Sequence, residues 1–186
     1  SQLIERGLRG VELVIADEHA GLCAAVRKLF PEAKRQRCCV HFMRNIMAKC
    51  PTRLHARLGR ELARIFDGPT LLDAKRRATA LKLGLGKQLP EAMEVLDKGW
   101  AAATVFYAFP QVHWKKIRTT NSVERLNVEI KRRTRSVGAF PDRASCLRLV
   151  TAVVVQQTKQ WIYRPYLNTS GFRTSPTKEA SAQLAA

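Results

Sequence analysis

The chemistry open to this chain rests on two carboxylates, Asp17 and Glu124. Asp17 closes a short apolar run, Val11-Glu12-Leu13-Val14-Ile15-Ala16, of the kind buried in a parallel sheet. In open α/β sheets ligands bind beyond the carboxyl ends of strands, and a carboxylate there is a natural hard-oxygen ligand for Mg²⁺. A turn or helix-cap aspartate is the plainer reading of the same position. Glu124 lies in IRTTNSVERLNVEIKRRTRSVGAF, residues 117 to 140, just after the cap-favouring Thr119, Thr120, Asn121 and Ser122. Its place three residues after Asn121 matches a capping box, which alone could explain it. From Lys115 to Arg135 the cations Lys115, Lys116, Arg118, Arg125, Lys131, Arg132, Arg133 and Arg135 meet only Glu124 and Glu129. An acidic side chain at the mouth of so basic a helix makes sense where a polyanion lies alongside and a divalent metal must be held. A solvated basic face is the plainer alternative.

Cys38 and His41 form a Cys-x-x-His pair in Cys38-Cys39-Val40-His41. Zinc needs two more ligands, and Cys23, Cys50 and His55 do not stand at a finger spacing. Two readings stay open: a zinc site, which is the less expected, and a buried strand thiol, Cys38, with a His41 that hydrogen-bonds near the active site. Cys23, Cys39 and Cys146 read as ordinary thiols. Phe106, Tyr107, Phe109 and Trp114 could stack on an unpaired base, but aromatic residues in a returning loop are expected to be core anchors. Arg44 lies either on Asp17's side of the sheet or in solvent.

These residues need elements to carry them. A helix end over Leu3–Leu8 closes at Gly10, a strand runs over Val11–Ala16, and a helix over Leu22–Phe30 turns Leu22, Val26, Leu29 and Phe30 inward. A second strand is expected over Arg37–Val40 and a helix from His41 to Lys49, together one right-handed α/β unit. From Thr52 to Tyr107 there is no strand signal, only helical patterns over His55–Phe66, Thr70–Leu83 and Leu89–Ala103 broken by glycine and proline. The Asn121 helix puts Val123, Leu126, Asn127 and Ile130 on one face and ends at Gly138. A last helix runs from Pro141 to Trp161, and the Thr/Ser/Pro/Ala-rich remainder reads as a loose tail over 163–186.

The 186 residues suffice for one domain with a real core, and 46% hydrophobic content argues against disorder. A net charge of +18 points to a polyanionic partner, nucleic acid first. No apolar run approaches the roughly 20 residues of a membrane span and no signal peptide is evident. Five cysteines make no secreted framework, so a cytoplasmic protein is expected.

VELVIADEHAGL, RQRCCVHFMRN and IRTTNSVERLNVEIKRRTRSVGAFPD resemble, in order and wording, the bacterial mutator-type insertion-sequence transposases. The resemblance covers about Leu3 to Trp161, and its most specific part is the TTN-x-x-E-R-x-N run. It implies a DDE triad on an RNase H-like α/β fold, mostly helical overall, with a helical insertion at about 52–107 inside a catalytic portion over 1–162. Asp17 matches the second Asp of the triad and Glu124 the closing Glu, and both would hold Mg²⁺ or Mn²⁺ in a two-metal site of the intact protein. The family also carries the Cys-x-x-His element. The implied partners are the ends of an insertion sequence and target DNA, engaged by the eight cations above, with a homo-oligomer on paired ends and a nucleoid location. The first Asp of the triad belongs to an earlier strand, expected ahead of Ser1, so this chain is expected to be a carboxyl-terminal part that is inactive alone. The competing expectation is a remnant that binds nucleic acid without chemistry, in which Asp17 and Glu124 are caps.

Overall fold

The computed structural model describes residues 2–163 and 167. It is mostly helical around one small sheet. After α1 (Gln2–Glu5), strand β1 (Leu13–Ala16) pairs in parallel with β2 (Lys34–Arg37), Leu13 opposite Lys34 and Ala16 opposite Arg37. The connection is α2 (Ala20–Leu29), so the expected strand–helix–strand unit is present. Helices α3 (Cys39–Met47), α4 (Thr52–Phe66), α5 (Leu71–Leu85) and α6 (Pro90–Ala103) follow. Two 3₁₀ turns (Val105–Ala108 and Gln111–His113) and the single turn α7 (Trp114–Ile117) return the chain to the sheet. Helices α8 (Asn121–Val137) and α9 (Arg143–Tyr163) pack on each other as a hairpin.

The second strand differs from expectation. It is the polar run Lys-Arg-Gln-Arg, three residues earlier than Arg37–Val40, and Cys38 caps α3 while Cys39 begins it. Gln36 explains how a polar strand can be buried. Its amide is fully covered, its Nε2 donates to the carbonyl of Ala103 at 2.9 Å, and its Oε1 accepts from the N–H of Phe106 at 2.8 Å. Every polar atom of that side chain is satisfied, so burial costs little. The tie clips the sheet to the end of α6. In α2 only Cys23 and Val26 are buried, while Leu22 and Leu29 stay exposed, against expectation. Two strands offer a helix only a narrow surface to cover.

The core lies beside the sheet and draws on α3 through α7. Phe42, Ile46, Leu58, Leu62, Ile65 and Leu96 are all fully buried in one continuous cluster. Of the three long helices at 52–103, α4 and α6 pack on α3, and α5 packs on α4. Helix α6 approaches α3 at Gly99, where a Cβ would collide with the Phe42 ring and lie 2.6 Å from the Arg37 guanidinium. The aromatic return loop anchors this core, as expected: Phe106 is buried, stacks on Tyr107 at 4.2 Å and meets Trp114 edge-on at 5.8 Å. Helix α8 has no buried residue, and Val123, on the face it shares with Leu126 and Ile130, is exposed. The Trp161 side chain and nearly all of the expected tail lie outside the described residues.

Candidate active site

One residue joins the two carboxylates, and it is Cys38. Its backbone N–H donates to the carbonyl of Ala16 at 2.9 Å, continuing the β1–β2 pairing beside Asp17. Its sulfur accepts from the N–H of Thr120 at 3.4 Å and lies 3.3 Å from the Thr120 hydroxyl. The next residue repeats the link, with Cys39 N–H donating to Arg118 O at 2.9 Å. The chain entering α8 is therefore laced to the first turn of α3, and α3 to the end of β1. Glu124, one turn into α8, is carried to Asp17 by this lacing.

The imidazole of His41, also in the first turn of α3, stands between them. His41 Nδ1 is 2.6 Å from Asp17 Oδ1 and 3.7 Å from Glu124 Oε1. Asp17 Oδ1 and His41 Nδ1 are individually shut off from solvent, and their approach is too poorly aligned to be a hydrogen bond, so each lacks a partner. Most of this site is accessible, with the Asp17, Glu124 and His41 side chains partly exposed, whereas Cys38 is fully buried. Thr120 Oγ1 donates to Glu124 Oε1 at 2.7 Å. A hydroxyl carries one proton, so with the carboxylate as acceptor the Cys38 thiol must supply the proton in its contact with Thr120 Oγ1.

The capping box is not formed. Thr120 rather than Asn121 is the N-cap, and its side chain makes no bond to the helix N–H groups. The Glu124 carboxylate instead faces the site, which is why a cap does not exhaust its role. Sequence reasoning passed over Thr120 as one of four cap-favouring residues, and only its contact to Cys38 across 82 residues singles it out. Cys38, expected as a buried strand thiol, is the N-cap of α3 and the joint. Glu18 and His19 take no part. Glu18 pairs with Arg35 at 3.2 Å and Arg37 at 3.6 Å, and His19 is the exposed N-cap of α2.

Beside Glu124 an open groove of about 340 Å³ runs along α8, lined by Asn121, Glu124, Arg125, Val128 and Glu129. Arg125, Lys131 and Arg135 are exposed on this helix and make no ion pair among the described residues. Arg132 and Arg133 are held differently. Both bond Glu129, at 2.7 and 2.9 Å. Hydrogen bonds from Arg132 and then Arg133 hold the Glu129 carboxyl down at about 2. Arg118 is tied into the fold, donating to Phe66 O at 2.5 Å and Asp67 Oδ1 at 2.7 Å. Lys115 is exposed, Lys116 is half-buried, and Arg44 faces solvent. A larger hollow of about 610 Å³, lined by Lys34, Thr70, Leu71, Tyr107 and Trp114 among others, includes none of the four site residues. No helix among the described residues is long and apolar enough to cross a membrane.

Carboxylates brought together from residues 17 and 124, with a basic helix alongside, are what the resemblance to transposases anticipates, and comparison with known proteins bears on it directly. The chain is 38% identical over 169 residues to the transposase for insertion sequence element ISRM5 of Rhizobium meliloti (strain 1021), covering 90% of this chain and 42% of that protein. It is 41% identical over 160 residues to the transposase for IS1081 of Mycobacterium tuberculosis (strain ATCC 25618 / H37Rv), covering 86% and 39%. It is 37% identical over 171 residues to the transposase for IS256 in transposon Tn4001 of Staphylococcus aureus, covering 89% and 43%. The chain thus spans about two fifths of the length of these relatives. The family described as "Transposase, Mutator family" matches residues 1–164, and the chain belongs to it.

Proposed function

We propose that this chain forms most of the catalytic portion of a DDE-type transposase, which cuts the ends of an insertion sequence and joins them to target DNA. One observation carries the reading: two carboxylates 107 positions apart meet at a single imidazole nitrogen, 2.6 and 3.7 Å away. A cap at the end of a strand and a cap at the start of a helix have no reason to converge. The relatives' names, all transposases for insertion sequence elements, agree with it. The two-stranded unit would then be part of an RNase H-like core over 1–162, with 52–107 as its helical insertion.

The residues present suit a divalent cation. Asp17 Oδ1 is a buried acceptor with no donor, and Glu124 Oε1 lies 3.7 Å from the His41 nitrogen beside it, so Asp17 and Glu124 would hold Mg²⁺ or Mn²⁺. When bound, a metal pair activates the attacking oxygen and stabilises the leaving oxygen of an in-line phosphoryl transfer. The chain's own residues do the rest. Thr120 fixes the Glu124 carboxylate by its 2.7 Å hydrogen bond. Arg125, Lys131, Arg132, Arg133 and Arg135 on α8, with Lys115, Lys116 and Arg118 before it, set the DNA backbone against the site by phosphate contacts that carry no sequence information. The triad's first carboxylate is assigned to the part of the family that this chain does not span. Work on paired ends by a homo-oligomer in the bacterial cytoplasm, at the nucleoid, belongs to the same reading.

The test is Glu124→Gln in the full-length protein. Expected is loss of metal-dependent cleavage of insertion-sequence ends by at least about 1000-fold, of the order of one lost electrostatic anchor in a transition state, with DNA affinity within twofold of the parent. Equal loss of binding and cleavage would contradict the reading, as would unaltered cleavage.

A further inference from the structure

Magnesium sites are built from oxygens, and this one contains a thiol and an imidazole. Asp17, Cys38 and His41 each offer a ligand atom, and the three atoms lie within 4.8 Å of one another. Glu124 Oε1 is 3.7 Å from the same His41 nitrogen. Two of the three atoms, Asp17 Oδ1 and His41 Nδ1, are buried and unpartnered. A third ligand that a Cys-x-x-His element lacks along the chain is thus supplied in space by Asp17, just past the end of β1.

We propose that Asp17, Cys38 and His41 bind a thiophilic divalent transition ion of the zinc class, with solvent in the fourth position. Tetrahedral zinc sets bonds of about 2.3 Å to sulfur and about 2.1 Å to nitrogen and oxygen, which puts ligand atoms roughly 3.3–3.6 Å apart. Asp17 and His41 need only part from 2.6 Å to meet it. The Cys38 thiol loses its proton to solvent on binding, and the Thr120 N–H at 3.4 Å supplies the outer hydrogen bond that a metal-bound thiolate takes. Because it would occupy Asp17, the ion competes with Mg²⁺. That consequence rests on the proposed function, whereas the binding itself does not.

Cobalt(II) serves as the probe, titrated into the full-length protein and read by its sulfur-to-metal charge-transfer absorption and the visible bands of a tetrahedral ion. The parent protein is expected to give both, with displacement by Zn²⁺. Cys38→Ser should abolish the charge-transfer band, and Asp17→Asn and His41→Gln should weaken cobalt binding at least tenfold. Cys146→Ser, outside the site, should change nothing. Absence of the band in the parent, or its survival in Cys38→Ser, overturns the proposal. If Cys38→Ser does not fold, His41→Gln decides, and unchanged cobalt affinity there overturns the proposal. A cobalt band alongside undiminished DNA cleavage by Asp17→Asn and Glu124→Gln supports the metal site while sinking the proposed function. Lost cleavage in those variants without any band does the reverse.

Discussion

Cys38 donates its backbone N–H to Ala16 on the Asp17 side of the site and accepts at its sulfur from the N–H of Thr120 on the Glu124 side. Thr120 completes the path with a hydroxyl that can reach both the thiol and the carboxylate. Replacing Thr120 by Val keeps the shape and the N–H but removes the hydroxyl. Outer hydrogen bonds of this kind are worth roughly 10–100-fold in metal affinity or activity. Thr120→Val is therefore expected to lower cleavage by roughly that factor with DNA binding unaltered, measured by single-turnover cleavage beside a binding isotherm. Asp17 was legible as a strand-end carboxylate and Glu124 through its motif, but not their meeting. Residues so distant in the chain are brought together by hydrogen bonds at 38–39 and 118–120, and no local pattern encodes those.

At the scale of elements, helix α8 carries the basic face. Arg132 and Arg133 share Glu129, so the exposed cations that a phosphate can claim most cheaply are Arg125, Lys131 and Arg135. Replacing Arg125 and Lys131 by Ala should reduce the slope of log affinity against log salt by about 2 and weaken binding to all sequences alike. A change confined to one sequence would contradict the assignment. Helix α6 depends on close approach at Gly99. A methyl group there is forced into Phe42 and Arg37, and overpacking of this kind costs about 1–3 kcal/mol, measurable as a lower urea midpoint for Gly99→Ala. The return loop brings a pH dependence. Burial pushes the Tyr107 hydroxyl up to about 12, while its proton is donated to Gly68 O at 3.1 Å. The folded chain keeps that proton where the unfolded chain has lost it, so this stabilisation is whole below about pH 10 and is lost as pH rises toward 12. Tyr107→Phe should flatten that alkaline decline in denaturant midpoint relative to the parent. The long helices were legible from periodicity and from their Gly and Pro breaks. Strand β2 was not, because Lys-Arg-Gln-Arg has no apolar signature, and Gln36 becomes a core residue only through partners near residues 103 and 106.

At the scale of the molecule, a charge of +18 suits the protein to a polyanion, and under the proposed function the convergence of Asp17 and Glu124 on His41 would turn that attraction toward chemistry. The family was legible because its motifs survive in order along nearly the whole chain, and its match over residues 1–164 agrees. Chemistry and binding should then separate cleanly, with the carboxylates governing one and the cations the other. The claim beneath all of this is that Asp17 and Glu124 belong to one metal centre. It is tested most directly by Mn²⁺ binding to the full-length protein, followed by electron paramagnetic resonance, for the parent, Asp17→Asn, Glu124→Gln and the double variant. One centre predicts that each single substitution weakens binding at least tenfold and that the double variant is little worse than either. Independent, additive losses, or affinity unchanged by either substitution, would contradict it.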